Sequence, residues 1–218
     1  VSIEIRYQTL GVVSTNTYLI GDTETQEAVL IDPVDDADAI IAMAEEAGWT
    51  IKLILATHAH FDHVLASKAL KERTGAPFYI HADCVKWLEI LPQQGQHFGF
   101  GQFSEAATPD RLLTNEPETL TLGAISLETL YTPGHAEGHI AFFMPSGRVL
   151  FSGDTLFKGS IGRTDLPGGS SYVLMESIFK KILPLGDDVR VLSGHGNATT
   201  IGQERQYNPF LRDMADEF

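Results

Sequence analysis

The chain has 218 residues, 43% of them hydrophobic and 20% charged, which is enough material to bury a full core. Fifteen basic side chains against 29 acidic ones give a formal charge of −14, disfavouring nucleic acid and anionic membranes as partners and leaving a small-molecule substrate. The apolar runs are too short to cross a bilayer, no secretory leader pattern opens the sequence, and the single cysteine, Cys84, excludes an internal disulfide framework. A soluble, cytoplasmic protein is expected.

Strand patterns rich in β-branched residues open the chain at Ile3–Tyr7, Thr17–Ile20 and Ala28–Ile31, separated by Gly11 and Gly21-Asp22. Asp32-Pro33 ends the third strand. Helical spacing through Ile40, Ile41 and Ala44 predicts a helix over Asp36–Ala47, stopped by Gly48. The near-continuous apolar run Ile51–Ala56 reads as a strand covered on both faces, and it delivers the chain to Thr57-His58. One helix is predicted from Asp62 to Arg73, ended by Gly75, followed by a strand over Pro77–Ile80. A further helix is expected to start near Cys84, whose thiol reads as structural.

Residues 91–117 break this alternation with Pro92, Gly95, Gly99, Gly101 and Pro109, and carry Phe98, Phe100 and Phe103 without sustained periodicity. They read as a long loop, either a cover over an active site or a plain surface cover packed on the core. Strands follow at Thr119–Leu122, Ile125–Tyr131, Ile140–Met144 and Val149–Phe151, with a turn at Pro145-Ser146-Gly147. Helix spacing over Ser171–Ile182, a strand at Val189–Leu192 and a terminal helix over Glu204–Met214, despite Pro209, complete the chain. No internal repeat or low-complexity segment is visible. Two halves that each begin with antiparallel strands predict an α/β protein, two sheets packed together with helices outside, in one domain over residues 1–218.

Seven polar residues sit just after predicted strands: His58, His60, Asp62, His63, His135, Asp154 and His195. In the extended stretch from 58 to 62, alternation puts His58, His60 and Asp62 on one side, and His63 turns in at the start of the next helix. The others arrive in Thr132-Pro133-Gly134-His135, Ser152-Gly153-Asp154-Thr155 and Ser193-Gly194-His195-Gly196, where glycine permits tight turns and close backbone approach. A lone histidine is ordinarily a satisfied core or surface residue. Seven donors in this arrangement point to metal instead, and imidazole with carboxylate suits zinc, iron or manganese, whereas the lack of thiolate argues against a structural zinc knot. A two-metal site fits the count. His81, His97 and His139 lie outside the pattern and read as structural or exposed; His139, four residues after His135, is placed to support a ligand.

These motifs resemble the metallo-β-lactamase superfamily and, within it, the glyoxalase II-like (hydroxyacylglutathione hydrolase-like) branch. Thr57–His63 matches the HxHxDH signature, and Gly134-His135, Gly153-Asp154 and Gly194-His195 follow in the family order. The resemblance implies a four-layer αββα sandwich of two mixed β-sheets flanked by helices, with the metals at one edge of the paired sheets. It also implies two divalent ions, Zn2+ first and Fe or Mn as alternatives. His58, His60 and His135 would hold one ion, Asp62, His63 and His195 the other, with Asp154 bridging.

The segment Asp154-Thr155-Leu156-Phe157 to Gly162-Arg163-Thr164-Asp165 also resembles that branch. Arg163 stands where the family has a glutathione-contacting lysine and is a candidate substrate contact, the alternative being a structural salt bridge with a neighbour or with Asp165, which replaces a tyrosine. The chain ends soon after Ala198-Thr199-Thr200-Ile201, without the family's helical extension.

Two divalent cations can hold a bridging water and lower its pKa to about 7, supplying a nucleophilic hydroxide. Asp62, besides ligating, can accept or orient that proton. A thioester suits such a site because its leaving thiolate has a conjugate acid near about 8.5 and needs little acid help. The expected function is hydrolysis of a small acyl thioester such as S-lactoylglutathione. The alternatives on the same ligands are a mononuclear iron persulfide dioxygenase, using the positions of His58, His135 and Asp154, and a lactonase. Oligomeric state is not legible.

Overall fold

The computed structural model describes residues 3–214. Its contacts divide into two compact units. The first holds the chain up to Leu113 with Thr121–Ser126, and the second holds Thr114–Leu120 and the chain from Leu127.

The first unit contains a mixed six-stranded sheet in the order β1-β2-β3-β4-β5-β6. Its strands are β1 (Ile3–Leu10), β2 (Thr15–Asp22), β3 (Glu27–Ile31), β4 (Thr50–Leu55), β5 (Phe78–His81) and β6 (Arg111–Leu113). The first three are antiparallel neighbours, and β3 through β6 are parallel. Helix α1 (Ala37–Ala47) crosses between β3 and β4. The Asp36 carboxylate caps its start by accepting from Ala39 N at 3.1 Å, and Gly48 closes its end at φ 71°. Leu30, Ile40, Ile54, Leu70, Phe78 and Ile80 form the centre of this unit's core, each buried side chain contributing about 1.5–3 kcal/mol.

Three expectations for this unit need correction. Strand β4 is not covered on both faces throughout, because Thr50 and Lys52 are exposed on either side of the buried Ile51; burial is continuous only over its last three residues, where the strand runs into the histidine segment. The single helix expected from Asp62 to Arg73 is two, α2 (Phe61–Val64) and α3 (Ser67–Thr74). At the break Ala66 N donates to Pro33 O at 3.0 Å, a long-range bond that outcompetes the helical one and that periodicity does not report. After α4 (Val85–Glu89), part of the expected loop is ordered: Leu91–His97 is helix α5 and Arg111–Leu113 is strand β6. Pro92 is tolerated there because it lies in the first turn, where its missing N–H has no helical acceptor. Cys84 is buried, as its structural reading required.

The second mixed sheet runs β14-β13-β10-β9-β8-β7, with β7 (Thr119–Leu122), β8 (Ile125–Tyr131), β9 (Ile140–Met144), β10 (Val149–Gly153), β13 (Arg190–Ser193) and β14 (Thr199–Thr200). Strands β10 and β13 pair in parallel; β8, β9 and β10 form an antiparallel meander. A short hairpin, β11 (Leu156–Phe157) with β12 (Ser160–Ile161), follows β10 and escaped sequence reading because two-residue strands have no period. Helix α6 (Ser171–Ser177) continues into a wider turn over Ile178–Ile182, and with Leu150, Val191 and Ile201 it buries Leu174 and Ile178 in this unit's core. The expected terminal helix is split into α7 (Ile201–Tyr207) and α8 (Pro209–Asp213). Pro209 cannot continue α7, and Asn208 caps the new helix by accepting from Phe210 N at 3.1 Å. No helix among the described residues is long and apolar enough to cross a membrane.

Candidate metal centre

In the first unit, the end of β4 aims Thr57-His58 beside Asp32, the residue that ends β3. Asp32 is 1% exposed and adopts φ 59°, a left-handed conformation that aspartate tolerates better than most side chains. Its carboxylate accepts from Thr57 N (2.7 Å), Thr57 Oγ1 (3.0 Å) and His63 Nδ1 (2.8 Å). This arrangement sets tautomers. His63 must carry its proton on Nδ1, which leaves Nε2 as a lone-pair donor. Thr57 gives its hydroxyl hydrogen to Asp32, so its oxygen accepts from His58 Nδ1 at 3.0 Å, and His58 likewise presents Nε2.

His58 Nε2 lies 3.0 Å from His60 Nδ1, and the rings of His58 and His63 sit 4.1 Å apart. Asp62 Oδ2 accepts from Thr15 Oγ1 at 2.7 Å and lies 3.4 Å from His63 Nε2. His58, Asp62 and His63 are buried and His60 is partly so.

In the second unit, His135, Asp154 and His195 come together. His135 Nδ1 donates to the carbonyl of Arg163 at 2.8 Å; since a carbonyl only accepts, the neutral ring presents Nε2, which lies 3.5 Å from Asp154 Oδ2. His195 Nε2 is 3.3 Å from the same oxygen. The loops are tied by Gly194 N donating to Gly153 O at 2.8 Å. His139 is buried, and its Nε2 accepts from Asp154 N at 3.1 Å while Nδ1 donates to Thr132 Oγ1 at 2.9 Å.

Helix α6 presses on the loop before His135. Ser170 N donates to Gly134 O at 2.8 Å, and at Gly134, φ 126°, a Cβ would collide with the backbone of Leu174. Gly134→Ala is therefore expected to destabilise the protein by about 2–4 kcal/mol through strain and overpacking, measurable as a lower denaturation midpoint.

The donor set fits a divalent cation. In their neutral forms His58, His63 and His135 present Nε2 as a lone-pair donor, His63 beside the Asp62 carboxylate and His135 beside that of Asp154, and imidazole with carboxylate is a donor set that zinc, iron and manganese accept. All seven residues are among those whose side chains could hold a metal ion. His81 and His97 have other roles: His81 Nδ1 accepts from Asp83 N at 3.1 Å, and His97 packs edge-on against Phe98.

Arg163 spends its planar fork on Asp165, with two bonds of 2.7 Å, and reaches the site through its backbone carbonyl. That pairing lowers the exposed Asp165 carboxyl from 3.8 to about 2. Sequence reading missed Asp32, Thr15 and Gln94. Only Asp32 left a signal: it ends a buried strand as Asp154 does.

The chain is similar to known proteins over most of its length. The sequence pattern described as the Metallo-beta-lactamase superfamily matches residues 10–195. Hydroxyacylglutathione hydrolase GloC of Haemophilus influenzae is 44% identical over 201 residues, spanning 92% of this chain and 94% of that one. The structure described as BLEG-1 B3 metallo-beta-lactamase superposes with a TM-score of 0.90 at 42% identity, covering 95% of this chain and 99% of that one. TTHA1623 in a di-iron-bound form gives a TM-score of 0.85 at 39% identity over 94% and 100%.

Proposed function

Because the chain belongs to the metallo-β-lactamase superfamily and is a metallo-hydrolase, we propose that its substrate is a small acyl thioester of the S-lactoylglutathione kind. In this reading His58, His60 and His135 would hold one divalent ion and Asp62, His63 and His195 a second, with Asp154 available to both. Such ions supply Lewis acidity and lower the pKa of water, making a nucleophile available near neutral pH.

The observation that carries the thioester reading is the hydrogen-bond scheme. Asp32, Thr57 and the Arg163 carbonyl hold the protons of His63, His58 and His135 on Nδ1, away from the donor atoms. Those rings are committed as ligands and are not poised to protonate a leaving group. Asp62, steadied by Thr15, is left to accept or orient a proton. With those three rings unable to serve as the acid, a leaving group that departs as an anion is favoured, and a thiolate does so far more readily than an amide nitrogen. The hydroxyacylglutathione hydrolase relative supports the same substrate class, whereas the B3 metallo-beta-lactamase likeness makes a β-lactam the competing substrate.

A panel of S-lactoylglutathione, a lactone, a β-lactam and glutathione persulfide tests the reading on protein whose metal content has been quantified. Thioester kcat/KM at least about 100-fold above the lactone and β-lactam is expected, with two metals per chain. Equal turnover of the β-lactam removes the reading. A single iron with oxygen uptake on the persulfide replaces hydrolysis with oxidation.

Arg163 is proposed to meet a substrate carboxylate in competition with Asp165. Since the Asp165 carboxyl is depressed, the pair forms as pH rises through about 2 and is complete above about 3.8, so it persists at every working pH. Asp165→Asn frees the fork and is expected to lower KM for a glutathione thioester about threefold while leaving a neutral thioester unchanged. Steady-state kinetics on the two substrates is the measurement, and a parallel shift in both argues against the contact.

A further inference from the structure

Gln94 lies on α5, outside every motif of the sequence, and is buried to 8% exposure. Its amide makes three bonds, all to backbone. Oε1 accepts from Phe61 N at 3.1 Å, while Nε2 donates to Ala59 O at 3.3 Å and to Trp87 O at 2.9 Å. The Ala59 carbonyl and the Phe61 N–H belong to the two peptide planes on either side of His60. The first bond also satisfies an N–H at the start of α2, where no helical acceptor exists.

The platform behind Gln94 is tightly packed. At the next residue, Gly95, a Cβ would collide with the carbonyl of Gly101 and crowd the Phe103 ring, and Phe103 in turn stacks on Phe61 with centroids 5.1 Å apart. Phe98 and Phe100 each approach Phe61 at 5.6 Å. The three phenylalanines that break the sequence pattern thus enclose the residue between His60 and Asp62.

We propose that Gln94 is a positioning residue for metal binding: it clamps both peptide planes flanking His60 and so fixes the direction in which His60 Nδ1 is presented beside His58 Nε2. With His60 held at φ −66° and ψ 145°, rotation of either plane swings the imidazole, and a ligand needs to lie within about 10–20° of its productive direction. The inference rests on His58 and His60 being ligands of one ion, and its test is arranged so that the two ideas fail separately.

The full chain is stripped of metal, and Zn2+ and Co2+ are returned in competition with a chromophoric chelator, with Co2+ absorption reporting ligand geometry. Gln94→Ala and the volume-preserving Gln94→Met are expected to weaken affinity about tenfold and to shift the Co2+ bands. Gln94→Glu keeps an acceptor for Phe61 N but no donor for Ala59 O, and is expected to restore affinity only in part. Leu70→Ala, a core change remote in chemistry, lowers thermal stability and is expected to leave affinity and spectrum unchanged.

Gln94→Met with affinity within about twofold of wild type and an unshifted spectrum overturns the proposal, as does an equal loss in Leu70→Ala. His58→Ala is the separate control. If it loses metal while the Gln94 variants keep it, only the positioning role falls; if it keeps wild-type affinity, the ligand reading falls and takes this inference with it.

Discussion

Asp62→Asn is expected to cut kcat/KM for the thioester by about 100- to 10,000-fold, the range lost when a positioned base is removed. The substitution is close to isosteric, and the amide oxygen can still accept from Thr15 Oγ1, which now stands 2.7 Å from Asp62 Oδ2, so the fold is expected to survive. What disappears is an anionic oxygen beside His63 Nε2, removing both a proton acceptor and a ligand for the ion proposed at Asp62, His63 and His195. Metal quantification alongside kinetics separates the two. A variant that keeps both metals and loses only kcat assigns Asp62 to proton transfer; one that loses a metal assigns it to ligation. Retention of kcat within about threefold removes Asp62 from both roles.

The residues proposed to hold metal were legible because metal ligation would demand particular side chains at particular strand ends. His58 to His63 follow β4, Asp154 follows β10 and His195 follows β13, and each strand was visible as an apolar run. What holds those residues was far less legible. Asp32 is 31 residues from His63 and reads locally as a strand terminator; its function exists only through a carboxylate that accepts across the fold. Gln94 sat in a stretch that looked structureless, since Pro92 and Gly95 are breakers in isolation. The structure reverses both readings, because one occupies a first helical turn and the other a place where backbone approaches too closely for a side chain. Helix breaks followed the same division. Pro209 carried its own signal and should have been obeyed, whereas the break at Ala66 depends on the distant Pro33 carbonyl.

Asp32 provides the sharpest separation between stability and metal binding. In Asp32→Ala, Thr57 N–H and His63 Nδ1–H lose their buried acceptor, at about 1–3 kcal/mol each, and alanine takes on a left-handed backbone that aspartate tolerates better. The two lost acceptors alone cost about 2–6 kcal/mol, a large part of a typical domain's stability, and chemical denaturation should show it. Asp32→Asn behaves differently. Its amide oxygen can still accept from Thr57 N and asparagine suits the left-handed conformation, so most of the stability returns. The amide nitrogen, however, takes the place of Oδ2 and points a donor at His63 Nδ1. The imidazole relieves this clash by moving its proton to Nε2, the atom proposed to bind metal. Asp32→Asn is therefore expected to fold well yet bind metal about 10- to 100-fold more weakly, with His63 changing tautomer in nitrogen NMR of the metal-free protein. An Asn variant with wild-type metal affinity would show that Asp32 serves the fold alone.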